Sequence, residues 1–201
     1  MEPQELVRLL DIVDPAKEPG RVTLISRYGA EKVCYVFFFF FLSTAPGSDC
    51  RARLRTNCLD ISAPYKRQDI QVLFIGLLVC ILLTRADTVV WCCDPMHGNT
   101  HSVNSIKTRS MTAIILEISL SIQIHASLGS RLGGVHLELT GDIDEDGFSV
   151  TECLGGSMEL GHDELGLRFE SYCDPRLNFE QSLGLLSRTV CLVTGGENLT
   201  A

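Results

Sequence analysis

Three residues of ligand-forming type stand at the ends of short runs that read as strands or turns. His97 lies in Thr88-Val89-Val90-Trp91-Cys92-Cys93-Asp94-Pro95-Met96-His97-Gly98-Asn99-Thr100, where a β-branched apolar stretch stops at Asp-Pro. That is how a buried strand reads when it delivers reactive side chains from its carboxyl end. Glu138 lies in Gly133-Gly134-Val135-His136-Leu137-Glu138-Leu139-Thr140-Gly141, and Asp174 in Cys173-Asp174-Pro175-Arg176-Leu177-Asn178. A histidine, a glutamate and an aspartate suit Mn²⁺ or a similar borderline divalent ion such as Co²⁺. Taken singly, a histidine at a strand end is more often a hydrogen-bonded structural residue, and a glutamate between Leu137 and Leu139 is a solvated strand position. No residue is singled out as a catalytic acid, base or nucleophile.

Cations accompany these residues. Arg27 ends an apolar run just before Gly29, where a guanidinium can fork onto a phosphate or carboxylate. Lys107 and Arg109 lie two apart on the expected loop after the His97 motif and are candidate anion contacts; alone, each would more often be an ordinary solvated charge. One decoy is set aside. Asp142-Ile143-Asp144-Glu145-Asp146-Gly147 opens like a calcium loop, but the required glutamate position holds Cys153, with Glu152 one residue short. An acidic surface loop is the better reading. Cys92 and Cys93 are adjacent and lack the spacer of a zinc knuckle.

The elements that must position these side chains follow from pattern. Glu5 to Val13 reads as a short amphipathic helix with Leu6, Leu9, Leu10 and Val13 on one face, ended by Pro15 and Pro19-Gly20. Val22 to Ser26, Thr88 to Cys92 and Val135 to Leu139 read as strands, Met111 to Ile124 as a helix, and His162 to Phe169 as a further helical segment. Strand-helix-strand alternation predicts parallel β/α units, and three strands do not close a barrel by themselves. After Leu183 the chain, with Gly195-Gly196, shows little helical pattern.

Six ordered motifs resemble the class II 3-deoxy-D-arabino-heptulosonate 7-phosphate (DAHP) synthases: Arg21 to Ala30, Thr88 to Thr100, Lys107-Thr108-Arg109, Gly133 to Gly141, Thr151 to Gly156 and Cys173 to Asn178, with Gln181-Ser182-Leu183 following. The resemblance covers Met1 to about Lys32 and Thr88 to about Leu183, the carboxyl-terminal part of such an enzyme. It implies an α/β fold, the carboxyl-terminal units of a (β/α)8 barrel. It also implies aldol-type condensation of phosphoenolpyruvate with erythrose 4-phosphate, the first step of the shikimate pathway, with a manganese-type metal. By resemblance His97, Glu138 and Asp174 are metal ligands, Arg27 contacts phosphoenolpyruvate, and Lys107 and Arg109 bind substrate. A fourth ligand, a cysteine, and several substrate-binding cations belong to the family's amino-terminal half, which is expected to lie outside this chain. The chain by itself is therefore expected to lack synthase activity. The alternative is a catalytically inactive truncated relative or a mis-annotated gene product.

Residues 33–87 interrupt this pattern with Phe37-Phe38-Phe39-Phe40-Phe41, a basic stretch around Arg51, Arg53 and Arg55, and the apolar run Val72 to Leu83. Val72 to Leu83 is short of the roughly 20 residues of a membrane span. Val22 and Val89 are separated by about twice the ~31 residues of one barrel unit. A family-specific insertion would account for this. The favoured reading is a retained intron or frame error, because thymine-rich phenylalanine codons make a five-Phe block what a translated pyrimidine tract yields. The organisation expected is thus 1–32 family-like, 33–87 inserted, 88–183 carrying the site motifs, and 184–201 a divergent tail. The net charge of −8 argues against a nucleic-acid surface. Nine cysteines, an odd number, and a polar acidic start argue for a reducing cytoplasm rather than a disulfide framework. The sequon at Asn198 is then accidental. Membrane association is not expected, and a homo-oligomer or association with a full-length homologue is.

Overall fold

The computed structural model describes residues 3–34, 88–143, 145–147, 149–150, 152–156 and 174–194. In chain order these form α1 (Pro3–Val13), β1 (Val22–Ser26), β2 (Val89–Cys93), a 3-10 turn (His97–Asn99), β3 (Thr100–Val103), β4 (Ile106–Arg109), α2 (Met111–Ser127), β5 (Leu132–Val135) and α3 (Phe179–Thr194). Beyond residue 34, the 33–87 segment lies outside the described residues, as does the expected helix at His162 to Phe169. No described helix is long and apolar enough to cross a membrane.

β1, β2 and β5 make one parallel sheet in the order β1-β2-β5. This is the α/β arrangement expected from alternation; among the described residues the sheet is open. β2 is central, and its inward residues Val89, Trp91 and Cys93 are buried while Val90 is exposed, the period-two pattern of a strand. Val89 and Trp91 pack with Leu10 of α1 and with Leu120 and Ile124 of α2. Cys93 belongs to a second cluster with Met96, Met111, Ile114, Ile118 and Leu177. α2 therefore sits under the carboxyl end of β2 and serves both clusters.

Local chemistry sets the boundaries. The Met111 N–H, at the start of α2, is satisfied by the Leu154 carbonyl at 2.9 Å. α2 ends with Gly129 at φ +69°, the Gly129 N–H on the Ala126 carbonyl and the Ser130 N–H on the His125 carbonyl. That pattern is a Schellman cap, which satisfies two terminal carbonyls and favours glycine at the left-handed position. β3 and β4 pair as an antiparallel hairpin through Asn104 and Ser105, both at positive φ, the two-residue turn whose twist matches flanking strands.

Four expectations need correction. Lys107-Thr108-Arg109 lies on β4 rather than on a loop, because the Asn104-Ser105 turn folds the chain back. β5 ends at Val135 instead of running to Leu139; beyond it the His136 N–H still reaches the Cys93 carbonyl at 2.8 Å, but Glu138 sits in the extended segment that follows. The helix after Asn178 does not fade at Gly184. It continues to Thr194, with Phe179, Leu183, Leu186, Val190 and Val193 exposed at alternating spacings of four and three. The hydroxyls of Ser187, Thr189 and Thr194 donate to carbonyls four residues back, so their donors are satisfied within the helix. On α1 the packed residues are Leu6, Val7 and Leu10, leaving Leu9 and Val13 exposed.

His125, near the end of α2, is buried with its ring 5.2 Å from that of Trp91 and Nδ1 3.2 Å from the Ser130 hydroxyl. Burial pushes its imidazole pKa down to about 4. A depressed folded-state value means that the stability tied to the neutral ring is complete above the unfolded value near 6.5. It is lost as pH falls from there towards 4. His125→Phe should therefore flatten the acid limb. Denaturant unfolding should show wild type losing roughly 2–3 kcal/mol more than the variant between pH 7 and 4.5. Equal losses would mean that His125 charges without cost.

Candidate metal and anion site

The site lies beyond the carboxyl ends of β1 and β2, the end at which open parallel sheets bind ligands. The register Ser26↔Cys93 brings the residues that follow, Arg27 and Asp94, side by side. Asp94 is fully buried. Its Oδ1 accepts the Met96 and His97 N–H groups at 3.1 and 3.3 Å, which closes the turn that carries His97. Its Oδ2 meets three partners: Arg27 Nε at 2.7 Å, His97 Nδ1 at 2.8 Å and His136 Nδ1 at 3.4 Å. Burial alone would raise the Asp94 carboxyl; the hydrogen bonds from the His97 ring and from the His97 and Met96 amides outweigh it, and the group is held below its usual range.

The bond to Asp94 fixes His97. With Nδ1–H donated to a carboxylate, Nε2 is left with its lone pair turned outward. It faces Glu138 Oε1 at 3.3 Å and Asp174 Oδ2 at 4.0 Å. Ligand atoms of His97, Glu138 and Asp174 lie within 4.8 Å of one another, and all three side chains are half-buried. Three elements distant in sequence thus converge on one point with one nitrogen and two oxygen donors. That donor set fits a divalent ion of manganese type.

Arg109 is the counter-charge. It is wholly buried; Nη1 donates to Glu138 Oε2 and to the Pro175 carbonyl, Nε donates to the Thr100 hydroxyl at 2.9 Å, and Nη2 lies 3.8 Å from Asp174 Oδ2. Among the described residues Nη2 has no hydrogen-bond partner. Lys107, next but one on β4, is exposed with Nζ 3.3 Å from Asp174 Oδ1. Arg27 is half exposed, its Nε turned to Asp94. The structure thus brings all six residues named from the sequence into one neighbourhood, with Arg27 and Lys107 at its surface and Arg109 in its floor. The buried thiols Cys93 and Cys153 are pushed up to about 12 by burial and remain protonated at neutral pH. Among the described residues Cys92, Cys93, Cys153 and Cys191 are free thiols.

Three contributors escaped sequence reasoning. Asp94 was visible three residues before His97, the spacing at which a turn returns a carboxylate to a ring nitrogen. His136 had the signal of standing two residues before Glu138. Glu117, whose carboxylate accepts the Tyr28 and Gly29 amides and the Asn99 side chain, had none, since it lies within an apolar helix.

A model of the Class-II DAHP synthetase family matches residues 1–38 and 65–189. The chain belongs to this family. Residues 39–64 lie outside both matched stretches and inside the 33–87 segment. A phospho-2-dehydro-3-deoxyheptonate aldolase of Neurospora crassa is 42% identical over 182 residues, 90% of this chain and 29% of the relative. The aldolase AroG of Mycolicibacterium smegmatis is 34% identical over 91% of the chain and 30% of its own length. That of Streptomyces coelicolor is 36% identical over 90% and 31%. The chain therefore spans about 30% of the length of the curated relatives it matches.

The geometry makes Asp94 the group that aims His97. Asp94→Asn keeps the shape but cannot accept from Arg27 and His97 while also accepting the turn amides. Mn²⁺ affinity, read from loss of the free-ion electron paramagnetic signal, should fall about 10- to 100-fold. Unchanged affinity would show that His97 is held by other contacts.

Proposed function

We propose that this chain carries the metal-binding face and part of the substrate-binding face of a phospho-2-dehydro-3-deoxyheptonate aldolase, which joins phosphoenolpyruvate to erythrose 4-phosphate. The observation that carries the reading is the convergence of His97, Glu138 and Asp174 within 4.8 Å, in a chain of this family. In the reaction carbon 3 of phosphoenolpyruvate attacks the aldehyde carbon, water adds at carbon 2, and phosphate leaves. A Mn²⁺ or Co²⁺ ion held by His97, Glu138 and Asp174 would supply Lewis acidity to the aldehyde oxygen.

The chain's own residues have separable tasks in this reading. Arg27, half exposed beside the metal-type cluster, takes the carboxylate or phosphate of phosphoenolpyruvate through its planar fork. Lys107, exposed on β4, offers a second cation to the phosphates. Two polyanions repel in any site of low dielectric, so cations at the rim lower the cost of bringing them together. Arg109 was expected to bind substrate. Its burial and its bonds to Glu138 and Pro175 favour a different task, balancing the acids from beneath. Asp94 keeps His97 in the tautomer that offers Nε2. The parallel sheet is read as part of a (β/α)8 barrel, whose active sites lie at this end of the strands. The 33–87 segment is read as carrying an insertion, with 39–64 the part outside the family match, that leaves the β1 and β2 pairing intact; an mRNA encoding every residue of it under all conditions would remove the intron reading.

The whole reading is tested by exchange. This chain, substituted for the matching segment of the Neurospora crassa relative, should support erythrose 4-phosphate-dependent release of phosphate from phosphoenolpyruvate in Mn²⁺. A folded hybrid that binds Mn²⁺ without turnover would overturn it. In that hybrid His97→Ala, Glu138→Ala or Asp174→Ala should each abolish Mn²⁺-dependent turnover, and retained rate with retained metal would remove that residue from the site. Arg27→Lys should raise the Michaelis constant for phosphoenolpyruvate by about 10- to 100-fold, since a bidentate charged contact is worth roughly 1.5–3 kcal/mol. The constant for erythrose 4-phosphate should hardly move. Both constants unchanged, with lowered stability, would make Arg27 a structural residue.

A further inference from the structure

Glu117 is a fully buried carboxylate in the middle of α2, between buried Ile114 and Ile118. Position alone would call for an apolar side chain there, and burial pushes its carboxyl up to about 7 in spite of three hydrogen bonds that favour the charged form. Something in its surroundings must use it. Its Oε1 accepts the Tyr28 and Gly29 N–H groups, each at 3.2 Å. Its Oε2 accepts from Asn99 Nδ2 at 2.7 Å. Asn99 in turn accepts the Ala30 N–H at 2.8 Å and donates to the Pro95 carbonyl at 2.8 Å. One carboxylate therefore ties the turn after β1, immediately beyond Arg27, to the turn after β2 that holds His97.

The two turns are also in direct backbone contact. A Cβ at Gly98 would lie 2.3 Å from the Gly29 nitrogen, and one at Gly29 would lie 2.4 Å from the Gly98 oxygen. Backbones this close leave no room for a side chain at Gly29 or Gly98, so the turns are tied beside the contact, by Asn99 and by Glu117 of the helix below. We infer that Glu117 is a positioning residue for Arg27, locking the turn that carries this guanidinium against the His97 turn through Tyr28, Gly29 and Asn99. This rests on the reading of Arg27 as the phosphoenolpyruvate contact. Glu117 touches no metal ligand; His97 is aimed by Asp94 independently.

Two variants separate the links. Glu117→Gln keeps an oxygen for the Tyr28 and Gly29 amides but turns an NH₂ towards Asn99 Nδ2. Asn99 cannot flip to compensate without losing both Ala30 and Pro95. Glu117→Ala removes every link. Calorimetric titration of phosphoenolpyruvate into the folded chain should show affinity weakened about tenfold by Glu117→Gln, ~1.4 kcal/mol, and more by Glu117→Ala. Mn²⁺ affinity, titrated alone, should stay within about twofold. Amide exchange at Tyr28 and Gly29 should accelerate in Glu117→Ala. A merely structural role would lower both affinities in step with the melting temperature, and that outcome overturns the inference. Phosphoenolpyruvate binding unchanged in Glu117→Gln but weakened in Arg27→Ala overturns it while sparing the substrate reading. Binding unchanged in Arg27→Ala sinks the substrate reading and this inference together.

Discussion

The Asp94 carboxylate is the point on which the site depends. It sits at the carboxyl end of the central strand, fully buried, and its two oxygens have divided tasks. Oδ1 folds the chain through the Met96 and His97 amides. Oδ2 holds Arg27, His97 and His136, which come from three adjoining segments of the parallel sheet. A buried charge without partners costs several kcal/mol. Here the partners are side chains of the candidate site, so the cost of burying the carboxylate is offset only when they are in position. Folding and site assembly are thereby one requirement.

Charge balance explains the rest of the floor. Glu138 and Asp174 approach His97 from segments that follow β5 and precede α3, and two carboxylates so close repel each other. Arg109 reaches both from β4, with its guanidinium wholly buried and one nitrogen on the Pro175 carbonyl beside Asp174. The hairpin that carries it is held to the rest by the Thr108 hydroxyl on the Glu152 carbonyl and by the Leu154 N–H on the Arg109 carbonyl. Glu152 itself, fully buried, accepts the Arg176 N–H at 2.6 Å and so fixes the loop after Asp174. The short segments between elements are thus ordered by hydrogen bonds to backbone groups, made by the Thr108 hydroxyl, the Leu154 amide and the Glu152 carboxylate.

Legibility in the sequence followed the range of the interactions. The strands at Val22 and Val89, the helix at Met111 and the ligand types at 97, 138 and 174 rest on local pattern, and they were readable. The Lys107-Thr108-Arg109 hairpin was not, because its turn uses Asn104 and Ser105 at positive φ without a glycine to announce it. The end of β5 was misplaced because the Val135-to-Leu139 alternation is real in pattern but loses its partner: β2 stops at Cys93, and only the His136 amide still reaches it. The helical run past Gly184 was missed because serine, threonine and glycine weaken the pattern, while the exposed apolar spacing of α3 supplies it. Arg109 reads in sequence as a surface cation two residues from Lys107; alternation along β4 does not predict that both Thr108 and Arg109 are buried. The acids arriving from Glu138 and Asp174, with the Thr100 hydroxyl and the Pro175 carbonyl, make that interior position tenable.

The register of β1 on β2 decides which side chains of the candidate site become neighbours. Parallel pairing sets Val22 against Val89 and runs unbroken to Ser26 against Cys93. The strands then end at the same level, so the next residues, Arg27 and Asp94, emerge as neighbours without any loop to position them. A slip of one residue would turn every side chain of β1 to the opposite face. It would bury alternate residues such as Thr23 and Ile25, now exposed, and carry Arg27 away from Asp94. Register is held by what lies beneath, since Val22 and Leu24 pack on the cluster of Leu10, Val89 and Trp91. The same apolar contacts that make the sheet stable therefore also fix the distance between Arg27 and the Asp94 carboxylate that meets His97. Gly29 and Gly98, one turn further on, then let the two loops touch. Side-chain bulk at either would force them apart at the place where the strand register has aligned them.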